Sequence, residues 1–182
     1  VFDDAQSQAA IWTVRKVGLG IISNQPGPRK ALPGIEDCAV PLEQLVSFQA
    51  ALAQLMAKYG TDGVFYAHAS VGLLHVRPRF DIASSKDRDT YLKLMDDVLE
   101  VVIAHNGAIS GEHGDGRIRA NLMRRFYGER VCEAFGAIKR LFDPAGLLNP
   151  GGKVAGRDPM GSLRYETDQP EEDTFFHWER GG

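Results

Sequence analysis

The chain has 182 residues, 43% hydrophobic and 25% charged, the proportions of one folded domain large enough to bury a core. A formal net charge of −3 and a pI ≈ 6.0 exclude a broad cationic surface for nucleic acid. No apolar run reaches the ~18 residues of a membrane-spanning helix, and no signal peptide is visible.

Cys38 and Cys132 are too few for a disulfide framework and form no CxxC pair. Reduced thiols in a cytoplasmic setting are expected, with no iron–sulfur or structural zinc site inside the chain. Any peripheral attachment to a membrane would belong to a longer polypeptide. The sequence opens at Val1 within a helical pattern, as a piece of a longer chain or a processed N-terminus would.

In chain order, residues 3–17 predict a helix stopped by Gly18 and Gly20. A loop rich in Pro, Gly and basic residues follows (25–30), then a short strand over 35–40. Pro41 suits the first position of a helix whose apolar residues Leu45, Phe48, Leu52, Leu55, Met56 and Tyr59 follow helical spacing, with Gly60 as the stop. Residues 64–68 and 73–77 predict two strands joined by the tight turn Ala69-Ser70-Val71-Gly72. Ser84 and Ser85 are N-cap candidates for a long helix with the stripe Leu92, Met95, Leu99 and Val102, ended by Asn106-Gly107. A last short strand covers 108–110. A further helix over 128–142 carries Val131, Phe135, Ile138 and Leu141, and Asp143-Pro144-Ala145-Gly146 stops it.

From 35 to 110 the order is strand, helix, strand, strand, helix, strand. That order predicts an α+β fold: a ferredoxin-like antiparallel sheet with two helices on one face, flanked by N- and C-terminal helices. The domain is expected over 1–153, its ferredoxin-like core at about 35–110. Residues 154–182 are expected to form a tail or linker.

The chemistry-bearing residues centre on Ile109-Ser110-Gly111-Glu112-His113-Gly114-Asp115-Gly116, read with His68 and His75. A hairpin loop with an even number of residues puts both histidines on one face of the sheet, because side chains alternate with period two. Two imidazoles on one face suit a divalent metal of the zinc, manganese or iron type. Glu112 would add a hard third ligand and leave open positions, as a catalytic metal needs. His113 would then be free as an acid or base, with an intrinsic pKa of about 6.5. The same residues also fit a half-buried sheet in which the histidines only hydrogen-bond, and a loop shaped by Gly114 and Gly116. Arg15, near Trp12, can hold a carboxylate bidentately, and Lys30 can close over an anionic substrate. Either can equally be a solvated or interdomain charge. Arg77, Arg79, Arg117 and Arg119 are further cations near the proposed ligands.

At four ordered motifs the chain resembles the C-terminal part of the FAD-linked oxidase family. They are Trp12-Thr13-Val14-Arg15, His68 through His75, Ser110 through Gly116, and Phe142-Asp143-Pro144 through Asn149-Pro150-Gly151. The family includes D-lactate, glycolate and D-2-hydroxyglutarate dehydrogenases. The resemblance implies a substrate domain of a larger FAD-dependent oxidoreductase acting on a small 2-hydroxy acid. It implies His68, His75 and Glu112 as ligands of a zinc- or manganese-like metal, and His113 as the base. It also implies Arg15 on the substrate carboxylate and Asn149 near the flavin.

The FAD-binding domain would lie N-terminal in the same polypeptide, so the isolated chain is expected to be inactive. The wording His68-Ala69-Ser70-Val71-Gly72 is most similar to a branch fused to a C-terminal iron–sulfur module, with Leu163-Arg164-Tyr165 and Phe176-His177-Trp178 as the approach to it. The chain departs from many metal-bearing members at Ser70-Val71-Gly72-Leu73 and Arg77, where they carry Gly-Asp-Gly-Asn and Asn. Two readings from other classes also fit the residues: a non-redox metal- or ligand-binding ferredoxin-like module, and a metal-dependent hydrolase using Glu112 or His113 as base.

Overall fold

Asp4 opens helix α1 (Ala5–Ser23) by accepting a hydrogen bond from the Ser7 N–H at 2.7 Å. The computed structural model describes residues 2–156, 158–161, 163 and 168, so the motifs Arg164-Tyr165 and Phe176-His177-Trp178 lie outside the described residues. Gly18 and Gly20 do not end α1 as expected. A glycine inside an exposed helix costs only about 1 kcal/mol relative to alanine, and the helix runs on to the Asn24 cap. None of the residues of α1 is buried.

The basic loop contains a strand that was not expected, β1 (Lys30–Ala31). The strand expected over 35–40 contracts to β2 (Cys38–Ala39), because Asp37 adopts φ +63°, which strand backbone cannot accommodate. Pro41 precedes a 3-10 turn over Leu42–Gln44, and helix α2 (Leu45–Lys58) follows. Strands β3 (Gly63–His68) and β4 (Leu73–Phe80) form the expected hairpin, with Tyr66 opposite His75 and His68 opposite Leu73. Ser84 caps helix α3 (Ser85–Ala104). The short helix α4 (Met123–Tyr127) precedes α5 (Glu129–Phe142).

Strand β4 is shared: β3 pairs along it, β2 at its beginning and β1 at its end, all antiparallel. The strand expected over 108–110 is reduced to one antiparallel bridge between Ala39 and Ala108. The order across the sheet is therefore Ala108, β2, β4, β3, the last, first, third and second members of the β-α-β-β-α-β pattern.

Period two divides β4 between two jobs. Leu74, Val76 and Phe80 enter the core with Phe48, Leu52 and Met56 of α2 and with α3. The buried face of α3 is Tyr91, Leu94, Met95, Val98, Leu99 and Val102, with the expected stripe residue Leu92 only half-buried at its edge. His75, Arg77 and Arg79 alternate onto the other face of β4. The stripe expected on α5 is mostly outward: Val131, Ile138 and Leu141 are exposed, and Cys132 and Gly136 are the buried positions.

Gly72 closes the β3–β4 turn at φ +67°, and a Cβ there would overlap the Val40 carbonyl. Gly72→Ala should therefore destabilise the protein by about 2 kcal/mol, read as a lower urea midpoint. An unchanged midpoint would mean that the turn adjusts and sets no register.

Candidate functional site

The hairpin register brings His68 and His75 onto one face, with ring centroids 5.1 Å apart. The loop 110–116 lowers Glu112 onto that face. Glu112 Oε1 lies 3.4 Å from His68 Nε2, 3.2 Å from His75 Nε2 and 3.2 Å from His113 Nε2. One ligand atom from each of His68, His75 and Glu112 falls within 4.8 Å of the others.

These spacings fit a metal. Donors bonded to an ion at about 2.1 Å stand roughly 3.0 Å apart in octahedral and roughly 3.4 Å apart in tetrahedral geometry. The two His–Glu112 distances fall in that interval, and two imidazoles with one carboxylate suit zinc, manganese or iron.

His75 is the anchored member, only 3% exposed. Burial drives its imidazole below the ordinary value, against the pull of the Glu112 carboxylate, and so favours the neutral ring that ligates metal. Its Nδ1 has no hydrogen-bond partner among the described residues, which leaves Nε2 as the engaged nitrogen. The side chains of His68, Glu112 and His113 are 46%, 42% and 43% exposed, so the cluster is closed behind and open in front.

The loop is held by Asp37. This fully buried carboxylate accepts through Oδ2 from the Ser110 hydroxyl at 2.8 Å and from the N–H groups of Gly111, Glu112 and His113 at 3.1, 3.0 and 2.8 Å. Its Oδ1 accepts from Arg119 Nη1 at 2.9 Å. Arg119 also donates to the carbonyls of Glu36, Ile109 and Gly114, fastening both ends of the loop. Burial alone would raise the Asp37 pKa. The hydrogen bonds from His113, Glu112, Ser110 and Arg119 outweigh it and hold the carboxyl below the usual range.

Glu36 faces the other way. It pairs with Arg77 at 2.8 Å, and its Oε1 lies 3.6 Å from His113 Nδ1. His113 thus stands between two carboxylates, Nε2 toward the cluster and Nδ1 toward Glu36.

Arg15 reaches the same face from α1. Its guanidinium lies 4.6 Å over the Tyr66 ring, and that ring stacks on His75 at 4.4 Å and 20°. Of the seven residues expected at the site, His68, His75, Glu112 and His113 are gathered, and Arg15 stands against the Tyr66 ring next to them in the stack. Lys30 is not among them: it pairs opposite Phe80, five residues along β4 from His75 or roughly 17 Å away. Its Nζ donates to the Gln25 carbonyl at 2.9 Å. Asn149 sits in the exposed turn after α5 at φ +47°, its carbonyl accepting from the Gly152 N–H at 3.1 Å.

Sequence reasoning missed Glu36, Asp37 and Tyr66. Two adjacent acids inside the apolar run from Ile35 to Val40 were the available signal, because a carboxylate drawn inward with apolar neighbours needs partners of its own.

A family model for FAD linked oxidases, C-terminal domain, matches residues 1–153. The chain is similar to D-2-hydroxyglutarate dehydrogenase of Escherichia coli, 31% identical over 165 residues, which covers 91% of this chain and 16% of that protein. It is similar to D-lactate dehydrogenase of Archaeoglobus fulgidus, 30% identical over 125 residues, covering 69% of this chain and 27% of that protein. A glycolate oxidase subunit of Escherichia coli is 34% identical over 127 residues, covering 70% of this chain and 23% of that protein. The chain therefore spans about a sixth to a quarter of the length of these relatives.

Proposed function

The chain belongs to the FAD linked oxidases, C-terminal domain family, and from that premise we propose that it is the metal- and substrate-binding domain of a larger FAD-dependent enzyme that oxidises a small 2-hydroxy acid. The observation that carries this reading is the convergence of His68, His75 and Glu112 within 4.8 Å, with His113 beside them and Arg15 linked through the Tyr66 ring. In relatives named as dehydrogenases or an oxidase subunit of D-2-hydroxyglutarate, D-lactate and glycolate, the shared substrate feature is a hydroxyl next to a carboxylate.

His68, His75 and Glu112 would hold a zinc- or manganese-like ion. When bound, the ion supplies Lewis-acid polarisation of the substrate hydroxyl, and FAD supplies hydride acceptance. Arg15 binds the substrate carboxylate. His113 takes the hydroxyl proton at Nε2, with the Glu36 carboxylate 3.6 Å from its Nδ1. Lys30, held on β1 opposite Phe80 and donating to the Gln25 carbonyl, takes no part in this reading. Asn149, on its exposed turn, would be the residue of this chain that meets the flavin.

The open front of the cluster suits a flavin ring arriving from another domain. Helix α1 exposes Ile11, Trp12, Val14 and Ile21, and α5 and the following turn expose Leu141, Phe142, Leu147 and Leu148. Surface of this kind supports docking of the FAD-binding domain of the same polypeptide. The reading extends to iron–sulfur clusters in a further module. It places the whole protein in the cytoplasm, with peripheral membrane association open to it. No helix among the described residues is long and apolar enough to cross a membrane.

The purified 182-residue chain should bind divalent metal, show no flavin absorbance and reduce no dye with D-2-hydroxyglutarate, D-lactate or glycolate. The same residues within the full-length polypeptide should support dye reduction with at least one of the three. A full-length enzyme loaded with flavin and metal that oxidises none of them would overturn the reading.

A further inference from the structure

We propose that Tyr66 is a positioning residue that ties the carboxylate-gripping cation to the metal-ligand cluster, an inference that rests on the reading of Arg15 as the carboxylate grip. Tyr66 lies on β3 directly opposite His75 on β4. Cross-strand pairs of this kind place two side chains side by side on one face, and here the rings stack at 4.4 Å and 20°. The same ring carries the Arg15 guanidinium at 4.6 Å. One aromatic side chain therefore touches a metal ligand and a substrate cation at once.

The need for such a tie follows from α1. No side chain of that helix is buried, so core packing does not fix where Arg15 points. Arg15 also has no acidic partner among the described residues, and its charge remains available to a ligand. A guanidinium left to itself on an exposed helix samples many rotamers, and each one fixed on binding costs affinity. The negative face of an aromatic ring attracts the guanidinium and limits that search. His75, only 3% exposed, is fixed in turn by the sheet. The distance from cation to metal ligands is thereby set by a stack of side chains and not by the helix backbone. That spacing decides how a hydroxy acid can span the two.

The face of the ring is the part that acts. The Tyr66 hydroxyl makes no hydrogen bond among the described residues, so phenylalanine should serve as well.

The test uses the full-length FAD-containing enzyme and Tyr66→Phe, Tyr66→Leu and Arg15→Ala variants. Tyr66→Leu should raise KM for the 2-hydroxy acid about tenfold while changing kcat by less than about twofold, and Tyr66→Phe should restore the original KM. Calorimetric binding of glutarate, an unreactive dicarboxylate, should weaken by the same factor in Tyr66→Leu, with metal content unchanged. If Arg15→Ala raises KM but Tyr66→Leu does not, the positioning role is wrong while the grip stands. Equal impairment by Tyr66→Phe and Tyr66→Leu overturns it too, since the hydroxyl would then be the acting group. If Arg15→Ala leaves KM and glutarate affinity unchanged, the carboxylate-grip reading itself falls.

Discussion

Glu112→Ala and His75→Ala should each abolish stoichiometric binding of zinc or manganese by the purified protein. Glu112 Oε1 is the point on which the two hairpin imidazoles converge, at 3.4 and 3.2 Å. Removing one of three protein ligands should weaken the site by more than the ~100-fold that loss of an outer hydrogen-bond partner costs. His75→Ala acts by the same route, and His75→Gln, which keeps more of the buried volume, separates loss of the ligand from the cost of a cavity. His68 is half exposed, so His68→Ala should leave weak residual binding. Metal content by elemental analysis and competition with a chelating dye decides the matter. Unchanged stoichiometry in both Glu112→Ala and His75→Ala would remove the metal from the site and leave three groups that merely hydrogen-bond.

Asp37→Ala should be the most destabilising single change near the site, by about 3–5 kcal/mol. It strands the buried Arg119 guanidinium and removes the common acceptor of four other donors. The effect has a pH signature whose sign is fixed. The folded carboxyl is held below its unfolded value of about 3.9, so its contribution is complete above that value and is lost as pH falls through the folded one. Urea midpoints at neutral pH should show the full loss. As pH falls below about 4 the wild-type midpoint should fall toward that of the variant, because protonation does in the wild type what substitution has already done. An Asp37→Ala protein within about 1 kcal/mol of wild type at neutral pH would show that the loop has another support.

The elements with strong periodicity were legible. Helices α2 and α3, the β3–β4 hairpin and the shared face of His68 and His75 follow from spacing alone, because burial of one face fixes both period and register. The short pieces were not. Asp37 interrupts a run that reads as a strand, and its left-handed backbone follows from contacts made 73 to 76 residues later. No local pattern carries such information. For the same reason Glu112 and His113 could be named as a pair while the carboxylate that shapes their loop went unseen. The outward stripe on α5 shows the reverse error: helical spacing of apolar residues reveals an apolar face but not what covers it.

Helix α1 contributes nothing to the buried core, yet it delivers Arg15 to the Tyr66 ring that stacks on His75. With Arg15 as the proposed carboxylate grip, foldedness and anion choice reside in separable parts of the molecule. Substitutions at the metal ligands' supports are taxed by unfolding, whereas a changed residue along α1 alters the reception of an acid at little thermodynamic cost. On the proposed function, a lineage built this way can explore new hydroxy acids through one external helix while the hairpin and its carboxylate-pinned loop stay constant.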